Sequence, residues 1–155
     1  MTVTALETLR HPNEPITLQK ILTKEFPKEQ VRYRPGRGGK QISYVETYSI
    51  IERLNEAFQS RWSWEIQFSN ITDKHIYCKG RLTVTIDGEI IIKESFGSKD
   101  STTGSTGDDL KAASSDALKK AASLLGIGLY FYKDKMPGSH EKPDPEKIKT
   151  FIKKW

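Results

Sequence analysis

Apolar and polar positions alternate from residue 62 to residue 69, with Trp62, Trp64, Ile66 and Phe68 set against Ser63, Glu65, Gln67 and Ser69. A period of two predicts a strand with one buried face, so Ile66 and Phe68 are expected in the core beside the two tryptophans. Over 75–86 the same period turns Ile76, Cys78, Leu82, Val84 and Ile86 inward and Tyr77, Lys79, Arg81, Thr83 and Thr85 outward. Asp87-Gly88 has the composition of a tight hairpin turn, after which 89–96 returns as a third strand. The prediction is an antiparallel meander.

Elsewhere the period lengthens. Leu18, Ile21, Leu22 and Phe26 fit a short amphipathic helix over 17–26, which Pro27 stops. Tyr48, Ile51, Leu54, Ala57 and Phe58 recur at helical spacing over 46–58 and predict a helix with that face buried. Between the two helices, strands 30–34 and 40–45 flank Pro35-Gly36-Arg37-Gly38-Gly39, a flexible hairpin tip. A glycine, serine and threonine loop follows the meander and opens an alanine-rich helix, for which Asp108 or Thr106 is the expected N-cap. On that helix Leu110, Ala113, Ala117, Ala121 and Leu124 form the stripe expected to pack on the sheet, while Lys119 faces away with Asp116 and Ser123 beside it. Gly126 and Gly128 end the helix, and Tyr130, Phe131 and Tyr132 are expected to cover an edge of the core.

The fold class predicted is α+β: an N-terminal β-hairpin and helix, then an antiparallel three-strand meander packed by a long Ala/Lys-rich helix, a β-β-β-α core. Residues 1–16 form an irregular segment, 17–132 the domain, and 133–155 a basic tail in which 145–155 can form a short lysine-rich helix.

Composition narrows the function. At 155 residues the chain is one domain long. No apolar run approaches the ~20 residues of a membrane span, and the N-terminus lacks a basic-then-apolar signal. A protein of the cytosol, or of a compartment shared with nucleic acid, without membrane contact is expected. The single cysteine, Cys78, has no partner for a disulfide or a zinc site. The net charge is +5, but from Lys133 onward there are seven lysines against four acids, so the body is nearly balanced. Within that body Arg32, Arg34, Arg37 and Lys40 place four positive charges in nine residues with no acid among them. Such a cluster is a candidate anion site, with a solvated basic loop as the alternative.

The glycine-bearing loop and the adjacent Lys119 and Lys120 invite a phosphate reading, but the P-loop consensus is absent. Gly39-Lys40 runs into Gln41, and Gly104 and Gly107 lead into Asp108-Asp109, which would repel a nucleotide. A polymer backbone is the better source of phosphates. Lys111 joins the candidates on the same helix. Asp108-Asp109 fits capping of a helix N-terminus better than a metal pair. His75 and Cys78 point to opposite strand faces and make no nucleophile pair. No constellation for catalysis stands out, so neither an enzyme nor a cofactor is predicted. Tyr33, Tyr44 and Tyr77 are read as packing residues, with base stacking as their alternative use.

Several local patterns, taken in order, carry a resemblance. They are Glu25-Phe26-Pro27 before the hairpin, Arg34-Pro35-Gly36-Arg37-Gly38-Gly39-Lys40 at its tip, Tyr44-Val45-Glu46 opening the next helix, Asp116-Ala117-Leu118-Lys119-Lys120-Ala121, and Gly126-Ile127-Gly128-Leu129-Tyr130. The set resembles the annealing domain of the Rad fifty-two family, and its ending is similar to bacterial members of the DdrA type. The resemblance covers roughly 18–132. It implies a homo-oligomeric ring that binds single-stranded DNA in a basic groove and anneals complementary strands without ATP in recombination and double-strand break repair. Recombination or single-strand-binding proteins are further partners that it implies.

By position, Arg34 and Lys119 match the family's inner-groove cations, and Lys120 matches the adjacent basic residue. Ser123 departs from a frequent arginine. Ile86 stands where the family has a lysine associated with a second, outer DNA site, and loop lysines expected nearby are mostly replaced by Ser101, Thr102 and Thr103; the inner groove carries over, and the outer site is left open. A protein that shields 3′ tails without annealing is the alternative. A nuclease is disfavoured because no carboxylates and lysine cluster as a metal site.

Overall fold

The computed structural model describes residues 14–102 and 104–133. The expected lysine-rich helix in the tail and most of the N-terminal segment lie outside these residues. In chain order the elements are helix α1 (Glu14–Thr23), strands β1 (Val31–Pro35) and β2 (Gln41–Val45), helix α2 (Thr47–Phe58), strands β3 (Trp62–Ile71), β4 (His75–Ile86) and β5 (Glu89–Asp100), and helices α3 (Thr106–Ser123) and α4 (Tyr130–Lys133). Strands β1 and β2 pair as an antiparallel hairpin, and β3, β4 and β5 form a separate three-stranded antiparallel sheet in that order. The predicted α+β class and meander are both present. Asp87 and Gly88 both adopt positive φ (50° and 80°), as a two-residue turn matched to strand twist requires. No helix among the described residues is long and apolar enough to cross a membrane.

Helix α3 lies across one face of β4 and β5, where Gly97 lets it approach and Gly80 makes room for a side chain of β3. A Cβ at Gly97 would meet the Ala113 carbonyl oxygen and the Ala117 backbone, and one at Gly80 would meet the Trp64 indole. Small residues on the helix complete the fit: Ala113, Ala117, Ala121 and Ala122 are fully buried. Ser95 Oγ donates to the Ala117 carbonyl, tying helix to strand. Ala121 and Ala122 join the main core, which runs through Leu82, Val84, Leu118 and Ile127 to Leu54 and Phe58 of α2 and to Leu22 and Phe26, while Ala113 and Ala117 close a smaller cluster with Ile76 and Cys78.

The alternating pattern over 62–69 misplaces two side chains. A β-bulge between Ile66 and Phe68 shifts the register, so that Trp64 pairs with Leu82 but Phe68 pairs with Lys79. One unpaired residue flips everything beyond it to the other face. Phe68 therefore sits on the outer side, edge-on to Tyr77, and is 46% exposed; Ile66 is 42% exposed. Leu124 is likewise not part of the buried stripe, because α3 ends at Ser123 and the chain turns into a left-handed Gly126 (φ 103°), leaving Leu124 exposed. The expected caps are also absent. Ser105 occupies the N-cap position without a side-chain bond, Asp108 reaches Lys111, and Asp109 accepts from the Thr102 N–H at 2.6 Å.

In α2 the buried face is rotated by about one position. Ile50, Arg53, Leu54 and Phe58 are buried, while Tyr48 and Ile51 are exposed. Arg53 hides this face from the apolar pattern, because it is a cation within the true buried stripe. Its Nη1 donates to the carbonyls of Ile21 (2.9 Å) and Lys24 (2.6 Å), its guanidinium lies 4.4 Å from the Phe26 ring centroid, and Glu56 is 3.5 Å away. A buried charge is tolerated only when paired and hydrogen-bonded. Here it satisfies carbonyls at the C-terminal end of α1, where a cation also favours the helix dipole. With the Phe26 N–H donating to the Tyr130 hydroxyl at 3.0 Å, this fixes the path by which the chain enters the hairpin.

Candidate nucleic-acid interface

In the hairpin, Arg32 lies opposite Tyr44 and Arg34 opposite Ile42, so these four share one face. The base of β2 is pinned by Val45, which is buried in the core. That anchorage holds the Arg34 face beside the exposed flank of α3, and a groove of about 790 Å³ opens between them. Arg34, Tyr44, Lys119, Lys120 and Asp116 line it, and its wall continues to Ser98 and Lys99 of β5.

Two cations converge on one ring. The Arg34 guanidinium and the Lys119 ammonium each lie 5.6 Å from the Tyr44 centroid, within the range of cation–π attraction. Lys119 Nζ also donates to the Val45 carbonyl at 3.5 Å. Lys119 does turn away from the sheet, as the helical wheel predicts, but it is half-buried against the hairpin rather than open to solvent. Lys120 Nζ donates to Asp116 Oδ2 at 3.0 Å, and the same oxygen accepts from the Ser98 N–H at 3.1 Å.

Burial pulls the Lys119 pKa below the ordinary lysine value; the carboxylates of Asp116 and Glu46 oppose that shift, and Arg34 adds to it. Burial also raises the pKa of the Tyr132 hydroxyl, assisted by Asp116 and opposed by Arg34. The lysine's sign is definite: between its folded and unfolded pKa the unfolded chain holds more protons, so folding gains stability as pH rises through that window. Anion binding behaves oppositely, since it needs the charged amine. Affinity for an anionic ligand is therefore expected to start falling, as pH rises, before ordinary lysines discharge. Lys119→Arg should flatten that fall in a pH series of fluorescence-anisotropy titrations, because arginine stays charged throughout.

The other sequence candidates are placed differently. Arg32 lies on the Arg34 face but is exposed and donates to the Glu29 carbonyl at 2.9 Å. Arg37 and Lys40 are exposed at the hairpin tip and do not line the groove. Lys111 is exposed on the first part of α3, 3.4 Å from Asp108, and also lies outside it. Tyr33 is 65% exposed on the opposite hairpin face, whereas Tyr44 forms part of the groove. Sequence reasoning missed Lys99 and the groove carboxylate of Glu46. The signal for Lys99 lies in the alternation of β5, which continues past Phe96 to Asp100. His75 is exposed and pairs with Asp100 at 3.2 Å, while Cys78 is buried with its thiol pKa raised by that burial. Among the described residues, no group of three or more His, Cys, Asp or Glu side chains could hold a metal.

The fold and groove define an α+β domain in which a hairpin and a helix present cations to a shared channel. The chain belongs to the Rad52/22 family of double-strand break repair proteins, whose family model matches residues 14–149. It is 33% identical over 74% of its length to the single-stranded DNA-binding protein DdrA of Deinococcus deserti, of which it covers 56%. To DdrA of Deinococcus radiodurans it is 30% identical over 74% of its length, covering 54%. To the DNA repair and recombination protein rad22 of Schizosaccharomyces pombe it is 31% identical over 88% of its length, covering 36%. The chain thus spans about half of each DdrA protein and about a third of rad22.

Proposed function

We propose that this protein binds single-stranded DNA along the groove between hairpin and α3 and anneals complementary strands without nucleotide fuel, in recombination and double-strand break repair. The observation that carries the reading is the convergence of Arg34 and Lys119 on Tyr44 in a groove belonging to a family of break-repair proteins. Strands repel one another through their phosphates, and cations that neutralise the backbone without reading bases lower the barrier to pairing. Residues 17–132 are the binding unit in this reading and 133–155 a basic tail. The protein acts in the cytoplasm on the nucleoid, without catalysis, alongside recombination or single-strand-binding proteins.

The names of the two DdrA relatives speak of single-strand binding alone, which favours a second reading in which 3′ tails are shielded but not annealed. Mixing complementary oligonucleotides with the protein, free of ATP and metal, separates the two. Faster duplex formation than in buffer is expected; protection from exonuclease without faster pairing selects the second reading, and cleavage on adding magnesium overturns both.

The assembly is a homo-oligomeric ring in this reading. A head-to-tail ring needs two different sticky surfaces. Exposed Phe68, Ile90, Ile92 and Phe96 on the outer sheet face, and exposed Ile51, Leu124 and Leu129 on the helical side, support it. Light scattering on the purified chain is expected to give a single species of several subunits; a monomer at micromolar concentration would remove the ring.

A further inference from the structure

We propose that Lys99 is the third phosphate anchor of the groove, in the place that adjacency to Lys119 would give to Lys120. The inference rests on the reading that the groove takes single-stranded DNA.

Strand β5 turns alternate residues toward α3. Ser95 reaches the Ala117 carbonyl, Gly97 lies beneath the Ala113–Ala117 turn, and Lys99 comes next in that series. Its register partner confirms the side: Lys99 lies opposite Ile76, which is buried against Ala113 and Ala117. The lysine therefore emerges beside α3 and joins the groove wall with Ala112 and Ser115, instead of projecting from the outer sheet face.

The groove then has cations at both ends with a low surface between. Ala112 and Lys119 are seven residues apart, roughly 10 Å along the helix axis. Small side chains at Ala112 and Ser115 keep that stretch low, and the one carboxylate of α3 on the same wall, Asp116, is countered by Lys120, so a backbone can run from the Arg34–Lys119 pair toward Lys99.

Lys120 is committed elsewhere. Its ammonium is tied to Asp116, and Asp116 is itself held by the Ser98 N–H, so a phosphate must displace a pair fixed to the sheet. The Lys99 side chain is exposed and makes no hydrogen bond or ion pair among the described residues. An unpaired exposed amine accepts a phosphate without first losing a partner, and contributes its full share to counterion release.

The test is a salt titration of oligothymidylate of about 16 nucleotides, followed by anisotropy, with the parent chain and with Lys99→Ala, Lys120→Ala and Lys93→Ala. Lys93 lies on the same strand outside the groove and serves as the control. Lys99→Ala is expected to lower the log–log slope by about 0.7 and weaken binding several-fold, with Lys120→Ala changing it less and Lys93→Ala not at all. Lys99→Glu should weaken binding further, and all four variants should melt with the parent. An unchanged slope for Lys99→Ala, or an equal loss for Lys93→Ala, overturns the assignment while leaving the groove intact. A parent chain that shows no salt-dependent binding removes the underlying reading instead.

Discussion

Replacing Gly97 with alanine is expected to destabilise the domain by about 3 kcal/mol or more, lowering the melting temperature by roughly 10 °C. The added Cβ would overlap the Ala113 carbonyl oxygen and the backbone of Ala117, and neither can rotate away as a side-chain end could. The helix must lift from the sheet, which opens the interface around Ile76, Cys78, Ala113 and Ala117. Since α3 also carries Lys119, any surviving fold should bind anions more weakly. Gly107→Ala provides the contrast: nothing lies within 4 Å of its Cβ, and it sits in the first turn of α3. That change is expected to be neutral or stabilising by up to about 1 kcal/mol. Thermal denaturation followed by circular dichroism measures both, and a Gly97→Ala chain that melts with the parent would refute the packing argument.

The second large effect is on binding. Removing both Arg34 and Lys119 as alanines is expected to weaken single-strand affinity by about a hundredfold. Charge-assisted contacts are worth about 1.5–3 kcal/mol each, and 1.4 kcal/mol is tenfold. Four to six phosphate contacts would give the parent a log–log salt slope near ~3 to 4, and the double variant should lose about 1.4 of it. Because both cations face the same tyrosine ring, the two losses are not expected to add independently; a double-mutant cycle reads the coupling. Folding should survive, since Arg34 is on the exposed hairpin and truncating Lys119 relieves a partly desolvated charge. Parent-like affinity and slope in the double variant would show that the groove does not hold the strand.

Local chemistry determined a good deal of this. The meander follows from period-two alternation and from Asp87-Gly88, whose positive backbone angles few other dipeptides accept. The alanine helix follows from propensity and spacing, and the outward turn of Lys119 from the helical wheel. These are properties of neighbouring residues, and a chain carries them before it folds. Other features needed the folded chain. Whether Phe68 faces in or out hangs on one bulged residue, and a bulge leaves no mark in an alternating pattern. Arg53 looks like a surface residue until the carbonyls of Ile21 and Lys24 arrive from a different helix. The meeting of Arg34 with Lys119, and the entry of Lys99 into the same groove, depend on how a hairpin, a helix and a strand end pack across distances of many residues. Charge and type are written in the sequence, but which cations share a groove is decided by packing, because only burial of the Val45 end and the close approach at Gly97 set those three elements side by side.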